Sequence, residues 1–283
     1  MIKPIALSAT HMECGSLKES LPVLTDLLAF EKIAEAPGEA TLKHPNTDWR
    51  LVVHESGSGA PIKQMHNHWG VRVATTQEVD AAYAHLTANK EKYDIQQIGK
   101  PLYNHGSYSL YFLEPGTNGW EIECYESALR KESLIQRTGG AYAPHWTTPY
   151  PEEKFPGRGY VPQGFTHGTL ACEDLKTSWK FYTEVLNLSL YQANPNVFYI
   201  KHPNTKCYVV CAERNDFKRF SPNFRFTITV GSKDEVGKAH DWLQASAKEC
   251  GFAELRDVQT TGSVSWFLVS DPDNNWWEVT SPN

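Results

Sequence analysis

Apolar positions along the chain switch repeatedly between two periods. Residues 5–12 alternate as a strand, after which Leu17, Leu21, Leu24 and Leu28 fall at helical spacing. Three short strands are expected near 30–36, 40–44 and 49–54. The order then repeats, with a strand over 68–74, a helix over 77–88 and strands near 95–103, 107–113 and 119–124. Further on, strands near Phe165 and Phe224 precede helical patterns at 175–186 and 234–248. The chain therefore reads as four βαβββ units, an α+β protein.

The pattern is duplicated. Lys43-His-Pro-Asn-Thr47 recurs as Lys201-His-Pro-Asn-Thr205, an offset of 158 residues. Ser16-Leu-Lys-Glu-Ser20 matches Asp174-Leu-Lys-Thr-Ser178 at the same offset. Glu121 after Glu114-Pro115 matches Glu278 after Asp271-Pro272 at an offset of 157. One half is a diverged copy of the other. The expected organisation is a first pair of βαβββ units in 1–125, a Pro/Gly-rich connection in 126–162 and a second pair in 163–283.

Composition narrows the function. The 283 residues are 40% hydrophobic and 21% charged, as in soluble globular proteins. A net charge of -6 gives no electrostatic footprint for nucleic acid or an anionic membrane. No apolar run reaches spanning length, and Met1-Ile-Lys-Pro-Ile-Ala-Leu-Ser8 lacks a secretory signal, so a cytoplasmic location is expected. The six cysteines show neither a CxxC pair nor a framework spacing and read as reduced core thiols. Aromatic residues at 12%, nine of them Trp, suit a pocket for a flat ligand as well as a core.

The segment from His105 to Glu121 is the most specific chemical signal. It strings a histidine (His105), a tyrosine (Tyr111), an acidic-Pro turn (Glu114-Pro115) and a carboxylate (Glu121) along two strands. Glu121 sits between Trp120 and Ile122 on an apolar strand, where a carboxylate needs a compensating cation. This arrangement resembles the signature of type I extradiol ring-cleaving dioxygenases in the vicinal oxygen chelate superfamily (glyoxalase/bleomycin resistance/extradiol dioxygenase). It departs from that signature in a His-to-Tyr interval one residue shorter and in Thr117, where Gly or Pro is usual.

The resemblance implies a fold in which βαβββ units pair into two curled-sheet domains. Metal ligands then come from the first strands of paired units and from a last strand. The first-strand positions are Ala9, His68, His167 and Arg225; the last-strand carboxylates are Glu121 and Glu278. Sequential pairing leaves Ala9, His68 and Glu121 in one site, with His11 as a same-face substitute. It leaves His167, Arg225 and Glu278 in the other, where Arg would pair with Glu. Nonsequential pairing of the second and third units completes one site with His68, Glu121 and His167, which is the favoured set, with His11 as the alternative ligand.

Two imidazoles and a carboxylate match the facial triad of non-haem Fe(II) oxygenases. The resemblance implies an Fe(II)-dependent extradiol dioxygenase, with Mn(II) able to use the same ligands. A small aromatic diol and dioxygen would be its substrates, in aromatic hydrocarbon catabolism, and the chain would form a homo-oligomer. Tyr111 and His105 would bind substrate and move protons. The alternatives are a glyoxalase-type metal-dependent lyase or isomerase, which expects a fourth protein ligand, and a metal-free small-molecule binding protein. Structural readings stand beside these. His44 and His202 belong to the repeated turn, His105 and Tyr111 can fill ordinary strand positions, and Glu123 shares the Glu121 face and would be the ligand in a shifted register.

Overall fold

The structure, a computed structural model, describes residues 1–56, 64–104, 106–125, 156–216 and 220–282. Four βαβββ modules follow one another. The first runs β1 (Pro4–Cys14), helical Leu17–Leu27, β2 (Glu31–Ala36), β3 (Glu39–Lys43) and β4 (Arg50–Glu55). The second has β5 (Gln64–Arg72), a helix Thr76–Ala88, β6 (Gln97–Ile98), β7 (Leu102–Asn104), β8 (Ser107–Leu113) and β9 (Asn118–Cys124). The third has β10 (Gly164–Cys172), helical Leu175–Val185, β11 (Ser189–Asn194), β12 (Val197–Lys201) and β13 (Tyr208–Glu213). The fourth has β14 (Arg225–Val230), a helix Lys233–Ala245, β15 (Glu254–Leu255), β16 (Gln259–Thr261), β17 (Val264–Ser270) and β18 (Trp276–Thr280).

Local chemistry sets the element ends. Thr75 and Glu78 form a capping box on Thr76–Ala88. The Asp174 carboxylate accepts from the Thr177 amide at 2.8 Å, opening the third module's helix. The helix expected over 17–28 is α-helical only through Leu17–Pro22 and continues as a π-helix, Val23–Leu27. Its copy makes the same change, from Leu175–Lys180 to Phe181–Val185, with Lys180 in place of Pro22. The wide turn therefore belongs to the duplicated segment and does not depend on proline. The strand expected over 95–103 is split into β6 and β7, and its copy is split in the same way into β15 and β16 with Val258 in place of Pro101, so the break also belongs to the duplicated segment.

The chain folds as two compact units, one of Met1–His11 and Leu170–Asn283, the other of Met12–Thr169. The first carries the strand order β15-β17-β18-β14-β1 and the meander β11-β12-β13. There β1, from the first module, pairs antiparallel with β14, from the fourth. The second carries β10-β5-β9-β8-β6 and the meander β2-β3-β4. There β5, from the second module, pairs antiparallel with β10, from the third.

The repeated turn explains its own recurrence. His44 Nε2 lies 3.1 Å from the Pro162 carbonyl, Asn46 donates to the Gln163 carbonyl, and Thr47 exchanges two hydrogen bonds with Phe165 on β10. In the other unit His202, Asn204 and Thr205 meet Pro4, Ile5 and Leu7 on β1 in the same way. Each copy clamps the start of a first strand from the opposite half of the chain. Under β5, β9 and β10 lies an aromatic core, with Phe30 against Trp120 and Phe165, and Trp49 stacked on Phe165 at 4.8 Å.

Candidate metal centre

On β9, Trp120 and Ile122 enter the core, so strand alternation turns Glu121 and Glu123 to the opposite face. Both carboxylates are fully buried. Across three ladders one row of residues is aligned. His167 on β10 faces Gly70 on β5, Gly70 faces Glu121 on β9, and Glu121 faces Tyr111 on β8. His68 stands two residues before Gly70 and therefore on the same face.

These side chains converge. His68 Nε2 and His167 Nε2 each lie 3.2 Å from the same oxygen, Oε2 of Glu121. Adjacent ligands about 2.1 Å from one cation are about 3 Å apart, so this spacing suits a metal. One donor atom from each of the three residues lies within 4.8 Å of the others. Tyr111 donates its phenol proton to the second oxygen, Oε1, at 2.7 Å. Its ring meets that of His68 edge-on, with centroids 5.1 Å apart.

Gly70 makes room for this arrangement. A Cβ there would lie 2.1 Å from Cε1 of His167, so the imidazole occupies the space above the β5 backbone that any other residue would fill. Glycine inside a strand often marks such close approach, which is the one sequence signal that could have found it.

The electrostatics suit a cation. Burial opposes the charge on Glu121, but hydrogen bonds from His167 and His68 override it and hold the carboxyl well below its usual range. Burial would likewise lower His167, yet the Glu123 and Glu121 carboxylates raise it to about 9. For Tyr111, burial and then the Glu121 charge push the phenol above its ordinary value, so it remains a donor. Glu123 is held charged against its burial chiefly by Arg72, whose Nη2 donates to it at 2.8 Å. It lies behind His167 and is not one of the three converging residues.

The remaining candidates lie elsewhere. His105 falls outside the described residues. His11 is in the other unit, 3.0 Å from Thr227 Oγ1 and 3.9 Å from Glu278. Arg225, the copy of His68, donates from Nε to Glu278 at 2.8 Å. Ala9 stands at the His167 position and Thr227 at the Gly70 position, so that half has neither the imidazole nor the space for it. No helix among the described residues is long and apolar enough to cross a membrane.

Comparisons with known proteins follow the same lines. Residues 164–279 match the family model of the Glyoxalase/Bleomycin resistance protein/Dioxygenase superfamily. A Bacillus subtilis protein provisionally named a dioxygenase superposes with a TM-score of 0.63 at 12% identity, over 99% of this chain and 86% of its own. Glyoxalase I from Zea mays gives a TM-score of 0.63 at 13% identity, over 98% of this chain and 91% of its own. A point variant of that enzyme gives 0.65 at 13% identity, over 98% and 92%. At these identities the likeness establishes the fold. A comparison with curated protein sequences found no match.

Proposed function

We propose that this chain, whose residues 164–279 match the model of the glyoxalase/bleomycin resistance/dioxygenase superfamily and whose fold resembles glyoxalase I over its whole length, is a member of that superfamily and an Fe(II)-dependent extradiol dioxygenase. It opens a catechol-like ring with dioxygen in the cytoplasm. One observation carries the reading: two imidazole nitrogens meet one oxygen of a buried carboxylate at equal distance on a single face, with a tyrosine on the other oxygen. His68, Glu121 and His167 would hold Fe(II), or Mn(II) in its place.

When bound, the metal supplies Lewis acidity to a vicinal diol and redox chemistry to dioxygen. The chain's own residues do the rest. Glu121, kept charged, balances the cation and anchors both histidines. Tyr111 stays protonated and orients oxygen-bearing groups by donating a hydrogen bond, to Glu121 here and to a substrate hydroxyl during turnover. Moving the hydroxyl protons falls to His105, whose type titrates near neutral pH.

The test is turnover. Protein loaded anaerobically with Fe(II) should consume one dioxygen per catechol-type ring opened, with both oxygen atoms entering a yellow product. A panel of catechols and hydroquinones covers the unknown pocket shape. Loaded protein that consumes no oxygen yet converts a thiol hemithioacetal would move the activity to the glyoxalase type.

A further inference from the structure

Behind His167 the second unit holds a buried charged chain, and the matching described residues of the first unit are uncharged. Thr166 Oγ1 lies 2.9 Å from His167 Nδ1, 3.0 Å from Glu123 Oε1 and 2.9 Å from the Gly70 carbonyl. Arg72 completes the chain by donating to Glu123 at 2.8 Å, its guanidinium 4.7 Å from the Tyr125 ring centroid. Nδ1 is 3.6 Å from Glu123, beyond hydrogen-bond reach, so the threonine hydroxyl is the bridge. With a carbonyl and a carboxylate competing for its single proton, that hydroxyl accepts from Nδ1–H.

Desolvating an ion pair is costly, and a neutral pair would hold the strands equally well. The duplicated half does so. The ladder places Thr229 and Thr280 where Arg72 and Glu123 stand, and Ser8 takes the Thr166 position. Thr229 there simply donates to Ser8 at 2.8 Å. Among the described residues, the charged chain accompanies His167 and is replaced by hydroxyls where Ala9 takes the histidine's position.

We propose that Thr166 and Glu123 are positioning residues, which fix the orientation of the His167 ring and keep its proton on Nδ1, so that Nε2 is presented beside His68 and Glu121. This rests on the metal-binding reading above. Partners of this kind typically contribute about 10- to 100-fold to metal affinity.

The test is Zn(II) affinity, with long-range proton–nitrogen NMR of His167 in the Zn(II)-loaded protein and in the metal-free protein above about pH 9, where the ring is neutral. Thr166→Val, which removes the hydroxyl without stranding a charge, should weaken Zn(II) by about 10- to 100-fold and lose the protected Nδ1 proton. Thr166→Ser should restore both, which a purely volumetric role would not predict. Glu123→Gln should act in the same direction, with thermal unfolding reporting separately on Arg72 losing its partner. Wild-type affinity and an unchanged Nδ1 proton in Thr166→Val would overturn the proposal. If wild-type protein takes up no Zn(II), the metal reading falls, while the Nδ1 proton of the metal-free protein still decides this proposal.

Discussion

His167 packs against Gly70 so closely that a single methyl group on residue 70 would overlap its ring. The row His167–Gly70–Glu121 is therefore a packing relationship as much as a chemical one. Gly70→Ala should displace the imidazole from Glu121 and abolish tight metal binding. Overpacking of this kind costs about 1–3 kcal/mol, so the protein should remain folded at a lower Tm. Metal content after dialysis, read beside thermal unfolding, checks both.

Removing any of the three converging side chains should have the same effect on metal as filling the space at Gly70. His68→Ala, Glu121→Ala and His167→Ala should each lose stoichiometric iron. His11→Ala and Glu278→Gln should retain it, because both residues belong to the unit where Arg225 already occupies Glu278. Full iron in His167→Ala together with loss in His11→Ala would show that the site is assembled from the wrong strands.

Tyr111 and His105 should separate binding from turnover. Tyr111→Phe and His105→Ala should both keep iron, since neither is a proposed ligand. His105→Ala should slow ring opening by about 10²–10⁴-fold if it is the acid–base group. Wild-type kcat in His105→Ala would remove it from the acid–base role.

The raised imidazole makes metal-free stability depend on pH. His167 moves from 6.5 to about 9, so the folded state binds this proton more tightly than the unfolded chain does. Its contribution is fully present below about pH 6.5 and is lost as pH rises through about 9. Denaturant unfolding of metal-free protein should show a decline across that window, and His167→Gln should flatten it. Metal requires the same nitrogen unprotonated, so apparent metal affinity should rise over the same interval.

Thr117 gives a stability prediction away from the site. It adopts a left-handed backbone, φ 63, at the tip of the β8–β9 turn. A β-branched residue there is strained by about 1–2 kcal/mol. Thr117→Gly should raise stability by about 1 kcal/mol, less the extra entropy of glycine, with metal content unchanged. An unchanged or lower Tm would show that the threonine hydroxyl offsets the strain.

Much of the fold was written in periodicity. Strand alternation and leucine spacing located the four modules, and the duplicated Lys-His-Pro-Asn-Thr turn exposed the internal copy. The split of one expected strand into β6 and β7 was not visible, because it recurs in β15 and β16 without a proline and so has no single-residue signal. At the site, the candidates His68, Glu121 and His167 were visible as residue types at family-like positions, and the structure brings them together. Thr166 and Arg72 were not visible. A threonine inside an apolar strand carries no pattern of its own, and a buried arginine is recognisable only through the carboxylate across the ladder. Glu123 was visible as a carboxylate, but only the strand pairing distinguishes a residue behind a histidine from one beside it.

The reciprocal clamps carry an evolutionary consequence. Each Lys-His-Pro-Asn-Thr turn grips a first strand from the other half, and β5 completes its ladder with β10 from beyond the connection. A half-length ancestor with two modules would have lacked both the grip and the second histidine strand. It would have obtained them from another copy of itself, as an intertwined dimer bearing two equivalent centres. In the present chain one of the two matching positions keeps His167, Gly70 and His68, and the other carries Ala9, Thr227 and Arg225.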